Sequence, residues 1–248
     1  MGRDSRDILT DPPPPAADAR LAYGEQPLQF GDLRLPEGRG PCPLAVVVHG
    51  GYWQATYNLI HTGHVCVALA EAGIATWNVE YRRLGDIGGG WPGTGADVAR
   101  AIAFVGELPV EHESVVLVGH SAGGQLVLWA AKRARLPVLA LAAISDVRDS
   151  VARTGPDGMP ARFVGGNRFE ELSPIELLPL GVRQILIHGT DDDSVPYAMS
   201  RRYVEAAGDE AELVTLAGAG HFEPIDPQSR EWPQVVAAVR SLCTERVA

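Results

Sequence analysis

Three side chains that together can cleave an acyl group from its carrier stand far apart in this chain. The first is Ser121, in Gly119-His120-Ser121-Ala122-Gly123, directly after the aliphatic run Val115-Val116-Leu117-Val118 and before the helix-like Gln125 to Ala131. A serine on a sharp strand-to-helix turn lifts its hydroxyl clear of the sheet, and small neighbours let strand and helix approach. A serine hydroxyl is a poor nucleophile until a base takes its proton, and the base works best when an acid orients it. His221, in Gly218-Ala219-Gly220-His221-Phe222, stands in a glycine-flanked loop after the last expected strand and suits the base. His188 is the rival, but its place directly at a strand end suits a structural role. For the acid, Asp191, Asp192 and Asp193 are adjacent, and spacing does not choose between them; three acids in a row also suit a solvated turn or a cation site. Asp226 is a further outsider.

Acyl transfer also needs donors for the oxyanion. The N–H of Ala122, just past the serine, is one, and the turn His49-Gly50-Gly51-Tyr52 can supply others from Gly51 and Tyr52, with Gly50 and Gly51 leaving the amides accessible. Trp53 is placed with this turn as a substrate wall, while Trp91 and Trp129 divide between pocket and core. His61 and His64 have a two-residue gap, but they sit in an expected helix without an acidic partner, so a metal site is not expected.

The elements that must hold these residues alternate strand and helix. Leu44 to Val48 is apolar on both faces, the mark of a strand buried in a parallel sheet. Ile74 to Val79, Val115 to Val118, Pro137 to Ile144, Ile185 to Ile187 and Ala211 to Leu216 read as further strands, and Leu28 to Leu35, bounded by prolines, as an edge strand. Helical patterns run over 58–72, 96–107, 197–207 and 232–246. A glycine-rich loop spans 85–95, and Glu80-Tyr81-Arg82-Arg83 follows the second buried strand. From 145 to 179 periodicity fades, which suggests a lid or cap insertion. The pattern is a mostly parallel sheet with helices on both faces, and in such sheets chemistry sits at the carboxyl ends of strands. The turns after Val48, Val118 and Ile187 all emerge there.

Bulk properties fit one α/β domain over 21–248. The chain has 248 residues, is 46% hydrophobic and 21% charged, and carries a net charge of −10, which argues against nucleic acid or an anionic membrane as partner. Lys132 is the only lysine, so Schiff-base chemistry is discounted. Cys42, Cys66 and Cys243 are too scattered for a disulfide framework. Residues 1–20, with Pro12 to Pro15, read as an extended or disordered arm, and no run is apolar enough for a signal peptide or a membrane span. A cytoplasmic enzyme acting on a small-molecule acyl substrate without a cofactor is the expectation, with monomer and homodimer both open.

From about Leu28 to the last helix these residues resemble the α/β-hydrolase superfamily, in which serine, acid and histidine follow in this order. The resemblance places the acid at the fifth position of His-Gly-x-x-Asp-x-x-Val-Pro, which is Asp192 in His188-Gly189-Thr190-Asp191-Asp192-Asp193-Ser194-Val195-Pro196. His49-Gly50-Gly51-Tyr52-Trp53-Gln54 resembles the oxyanion turn of arylformamidases and, more distantly, that of hormone-sensitive-lipase-like esterases. Tyr52 stands where the latter have a third glycine, which counts against tertiary-alcohol esters. Prolyl-oligopeptidase-type peptidases have a similar catalytic domain, but this chain lacks the length for their propeller. The resemblance implies a serine hydrolase acting on a small ester or an aryl formamide through an acyl-Ser121 intermediate. A thioester, lactone or peptide substrate is the alternative, and a non-catalytic hydrolase-fold binding protein is disfavoured by the complete serine, aspartate and histidine set.

Overall fold

Residues 4–38 and 40–244 are described by a computed structural model. Strands with unbroken apolar runs make the middle of the sheet. In β3 (Cys42–Val48), Leu44, Val46 and Val48 enter one core cluster while Ala45 and Val47 enter the other. Successive side chains of a strand point to opposite faces, so an unbroken apolar run demands cover on both. β4 (Ala75–Val79), β5 (His112–His120), β6 (Val138–Leu141), β7 (Gln184–Gly189) and β8 (Ala211–Leu216) join β3 in parallel. β1 (Ala19–Ala22) and β2 (Phe30–Arg34) add an antiparallel margin, giving the order β1-β2-β4-β3-β5-β6-β7-β8.

Helices α1 (Ile60–Glu71) and α7 (Trp232–Cys243) cover the Ala45/Val47 face through Val65, Leu69, Val235 and Val239. Helices α2 (Gly93–Ala103), α3 (Ala122–Ala134) and α6 (Tyr197–Ala207) cover the other through Val98, Leu126, Met199 and Tyr203. Each such side chain stabilises the fold by roughly 1.5–3 kcal/mol relative to exposure. The sheet is therefore the mostly parallel, doubly covered one expected.

The chain passes from β3 to β4 on one side, whereas β5 lies on the other. Loops leaving the carboxyl ends of β3 and β5 consequently part and leave a crevice. Register pairs Val48 with Gly119. That pairing brings the His49–Tyr52 turn beside Ser121.

The arm at 1–20 takes the extended alternative at its prolines and packs on the body: Ser5–Leu9 is a 3-10 turn capped by Asp4, and Ile8 is buried in the core cluster that α1 and α7 also enter. Pro12 to Pro15 has no regular structure, as four prolines require, but it docks on α1. A Cβ on Gly63 would stand 2.6 Å from Pro14 Cγ, which explains a glycine inside a helix at a cost of ~1 kcal/mol. The segment 145–179 is an insertion after β6, yet it is not irregular. It holds α4 (Val147–Thr154), capped by Asp146 accepting from Asp149 N at 2.9 Å, then α5 (Met159–Val164) and two 3-10 turns. Gly155, Pro156, Gly158 and Pro160 separate and open these short helices, so punctuation masks them in the sequence.

Candidate active site

Ser121 occupies the turn between β5 and α3 with φ 54° and ψ −119°, a backbone conformation costing about 1–3 kcal/mol. Its N–H donates to Leu141 O at 2.9 Å, and its carbonyl accepts from Ile144 N at 3.2 Å and Gln125 N at 3.2 Å. These bonds over-determine the turn. The flanking glycines are steric necessities: a Cβ on Gly123 would lie 2.1 Å from Val48 O, and one on Gly119 2.4 Å from Gly123 O. Strand, turn and helix can approach this closely only without those side chains.

Asp192 turns inward from the loop after β7, and its side chain is fully buried. Its Oδ1 accepts from Ser194 N at 2.8 Å and Val195 N at 2.7 Å, and Oδ2 accepts from His221 Nδ1 at 2.7 Å. His188 Nε2 lies 3.1 Å from the same Oδ2 and 2.9 Å from Val195 O, both acceptors, while Ser200 Oγ is 2.7 Å from its Nδ1. Nε2 therefore carries the proton, and His188 acts as a buried clamp on the acid. Burial opposes ionisation of Asp192, but the bonds from His188 and His221, the His221 charge and the Val195 N–H together outweigh it and hold the carboxyl well below its usual range. The neighbouring acids go elsewhere. Asp193 pairs with Arg6 at 3.0 Å on the surface, and Asp191 accepts from Thr190 Oγ1 at 2.9 Å. Asp226 is buried and accepts from Gln228 N at 2.9 Å.

Ser121 and His221 both line a cavity of about 390 Å3. Among the described residues no hydrogen bond joins Ser121 Oγ to His221, a bond that unliganded sites commonly tighten only around substrate. Nδ1 of His221 is committed to Asp192. The other ring nitrogen is the one left for proton transfer.

Gly51 and Tyr52 line the same cavity, and Ala122, as the first residue of α3, has an N–H without a partner inside its helix. Gly51 has φ 115°, and a Cβ there would stand 2.3 Å from Tyr57 Cβ. A Cβ on Gly50 would come within 2.8 Å of His120 O and 3.0 Å of Ser121 Cβ. Both glycines thus let the turn lie flat against Ser121. Burial pushes the Tyr52 hydroxyl upward, so it is a neutral phenol.

The placement of Trp53 as a substrate wall is corrected. It is fully buried, stacks on Phe163 at 4.3 Å and donates to Gln125 Oε1 at 3.0 Å. A left-handed backbone at Trp53, φ 56°, sends its ring into the core instead of the cavity. Trp91 and Trp129 pack edge to face at 4.9 Å in the same cluster.

The cavity has walls that the sequence did not announce: Leu9 from the N-terminal turn, Tyr57, His61 and Phe222. The insertion at 145–179 does not line it. Ser150, Arg153 and Thr154 instead border a smaller cavity of about 220 Å3 that shares Tyr52, Ser194 and Val195 with the first. His120, inside the serine motif itself, donates from Nε2 to His221 O at 3.0 Å, and burial together with the His221 charge holds it neutral. Its position beside Ser121 was the available signal. Among the described residues no group of three or more potential metal-ligating side chains occurs, and no helix is long and apolar enough to cross a membrane.

Known proteins agree with this architecture. A "Truncated form of carbohydrate esterase from gut microbiota" superposes with TM-score 0.75 at 19% identity, covering 91% of this chain and 95% of that one. An inhibited esterase B from Lactobacillus rhamnosis gives TM-score 0.79 at 18% identity, covering 96% and 90%. A putative thioesterase from Silicibacter gives 0.70 at 26% identity, covering 95% and 88%. The chain therefore has the α/β-hydrolase fold. A sequence profile named BD-FAE matches residues 32–141, and that of the prolyl oligopeptidase family matches residues 95–238, more than half of the chain. The chain belongs to the prolyl oligopeptidase family. A comparison with curated proteins gave no match.

Proposed function

We propose that this protein is a cofactor-independent serine esterase that hydrolyses small carboxylic esters through an acyl-Ser121 intermediate. Ser121 Oγ attacks the carbonyl carbon as His221 takes its proton; the oxyanion rests on the N–H groups of Ala122, Gly51 and Tyr52. Collapse expels the alcohol, which recovers the proton from His221, and water then repeats the sequence to release the acid. Asp192 keeps His221 in the right tautomer and stabilises the imidazolium that forms.

The observation that carries the reading is the 2.7 Å bond from His221 Nδ1 to Asp192 at the edge of the cavity that Ser121 also lines. The cavity, about 390 Å3, lies near the small end of the ~300–1,000 Å3 typical of ligand sites and is edged by Leu9, Val195 and Phe222. Short acyl groups fit it better than long chains. The esterases among the structural neighbours support the same class. A thioester is the second reading, favoured by the putative thioesterase at 26% identity; aryl formamides remain a third through the His49–Gln54 turn.

The test is a panel of p-nitrophenyl esters of graded acyl length, an aryl formamide and an acyl thioester, with a fluorophosphonate label read by mass spectrometry. Short-ester turnover and a label on Ser121, both abolished in Ser121→Ala, are expected. A Ser121→Ala protein that kept most of its turnover would refute the mechanism, and selective thioester or formamide turnover would replace the substrate class.

A further inference from the structure

We propose that Glu80 and His49 form a buried positioning pair that fixes the Gly50–Gly51 peptide with its N–H toward the reacting oxygen. The proposal rests on the esterase reading above and adds residues that play no part in it.

His49 is fully buried, with Nδ1 2.7 Å from Gly50 O and Nε2 3.1 Å from Glu80 Oε1. A carbonyl and a carboxylate can only accept, so each ring nitrogen faces a group to which it can only donate. In a trans peptide the carbonyl and the next N–H point in opposite directions. Pinning Gly50 O on the imidazole therefore turns the Gly51 N–H to the far side, where Gly51 borders the Ser121 cavity.

The ring cannot swing away. Tyr81 stacks on it at 4.3 Å and donates its hydroxyl to His49 O at 2.7 Å. Glu80 is anchored equally well: it accepts from Tyr81 N at 3.0 Å, Leu59 N at 3.2 Å and Arg83 Nη1 at 2.9 Å. Arg83 also donates to Tyr57 O, and Tyr57 packs against Gly51. One carboxylate at the end of β4 thus joins the oxyanion turn, the entry to α1 and the cavity wall. Burial works against its charge, but the His49 charge and hydrogen bond and the Arg83 charge outweigh it and hold Glu80 below the usual carboxylate range.

The experiment compares wild type with Glu80→Gln, His49→Asn and His49→Ala. Glu80→Gln should lower kcat about 10–100-fold, at or below the loss of one oxyanion donor, with KM within about twofold. Affinity for n-butylboronic acid, whose serine adduct mimics the tetrahedral intermediate, should fall by the same factor as kcat/KM, while inhibition by butyrate stays unchanged. His49→Asn, with an amide N–H near the former Nδ1, should recover part of what His49→Ala loses. In 15N NMR both ring nitrogens of His49 should be protonated in wild type and only one in Glu80→Gln. An unchanged kcat, an equal loss of boronate and butyrate affinity, or a singly protonated His49 in wild type would overturn the proposal. If the wild type neither hydrolyses the ester panel nor labels at Ser121, the esterase reading fails instead, and the ring spectrum alone still judges the pinned peptide. Should Glu80→Gln not fold, the two His49 variants and the wild-type spectrum carry the test.

Discussion

His61 makes the fold sensitive to mild acid by an amount that can be worked out. Burial first, then the charge on His49, pull its imidazole down from 6.5 to about 3, with the Asn58 backbone and Glu80 only partly opposing. The unfolded chain takes up a proton near pH 6.5 while the folded chain refuses it, so the unfolded state binds more protons and stability falls as pH drops through that range. Between pH 8 and pH 5 one such histidine costs about RT ln(1 + 10^1.5), about 2 kcal/mol. Asp192 and Glu80 are both held low, so their contributions are complete above pH ~4.5 and are lost only below it. They stay out of this window. His120 has the same sign as His61 and adds to the wild-type slope. Urea unfolding of wild type and His61→Leu at pH 8, 6.5 and 5 isolates the effect. The variant should lose about 2 kcal/mol of the acid destabilisation between the two extremes, whatever its absolute stability. An identical slope in both proteins would mean that His61 titrates as in an open chain, and the account of its burial would be wrong.

Two further outcomes follow from close approach. Gly123→Ala sets a methyl 2.1 Å from Val48 O, a backbone atom that cannot step aside, so a loss of about 3 kcal/mol or more and near-complete loss of ester turnover are expected. A melting temperature within a degree or two of wild type would contradict that. Leu9→Trp fills the cavity from the N-terminal side and should depress kcat/KM for hexanoate esters about tenfold while sparing acetate, since one or two methylenes carry ~1–3 kcal/mol of discrimination. An unchanged hexanoate-to-acetate ratio would place the acyl chain elsewhere.

What could be read from the chain beforehand was whatever is local. Leu44 to Val48 and Val115 to Val118 announce doubly covered strands, and a glycine-rich turn directly behind each places it at a carboxyl edge. Those two local signals yield the crevice and its residues without any knowledge of partners. Asp192 was different, because three adjacent acids share one local environment. They separate only when His188, His221 and Arg6 arrive from other parts of the chain. For the same reason the docking of the N-terminal arm stayed open: Pro12 to Pro15 dictates an extended backbone, but where it docks depends on the notch at Gly63, which is visible only once α1 is built. Trp53 is turned by its own backbone, since successive left-handed residues at Tyr52 and Trp53 reverse the direction its ring takes.

Glu80 shows how much a strand-end rule can still yield once partners are known. It stands just past β4, at the same carboxyl edge as His49 and Ser121, and a charged residue there is as much a signal as a glycine turn. Five of the seven histidines gather around this edge, His49, His61, His120, His188 and His221. What separates them is the set of groups each ring faces. His49 meets two acceptors and must donate twice, whereas His120 meets one carbonyl and has a buried Nδ1 without a partner, so it stays neutral. His61 is neutral because burial and the His49 charge both oppose a second proton. His221 gives one nitrogen to a buried carboxylate and borders the cavity with the rest of its ring. Of these five, it alone combines an anion behind it with open space in front; His188 shares the anion but does not border the cavity. A histidine that gains and loses a proton in every turnover, as the proposed mechanism asks of His221, needs that combination.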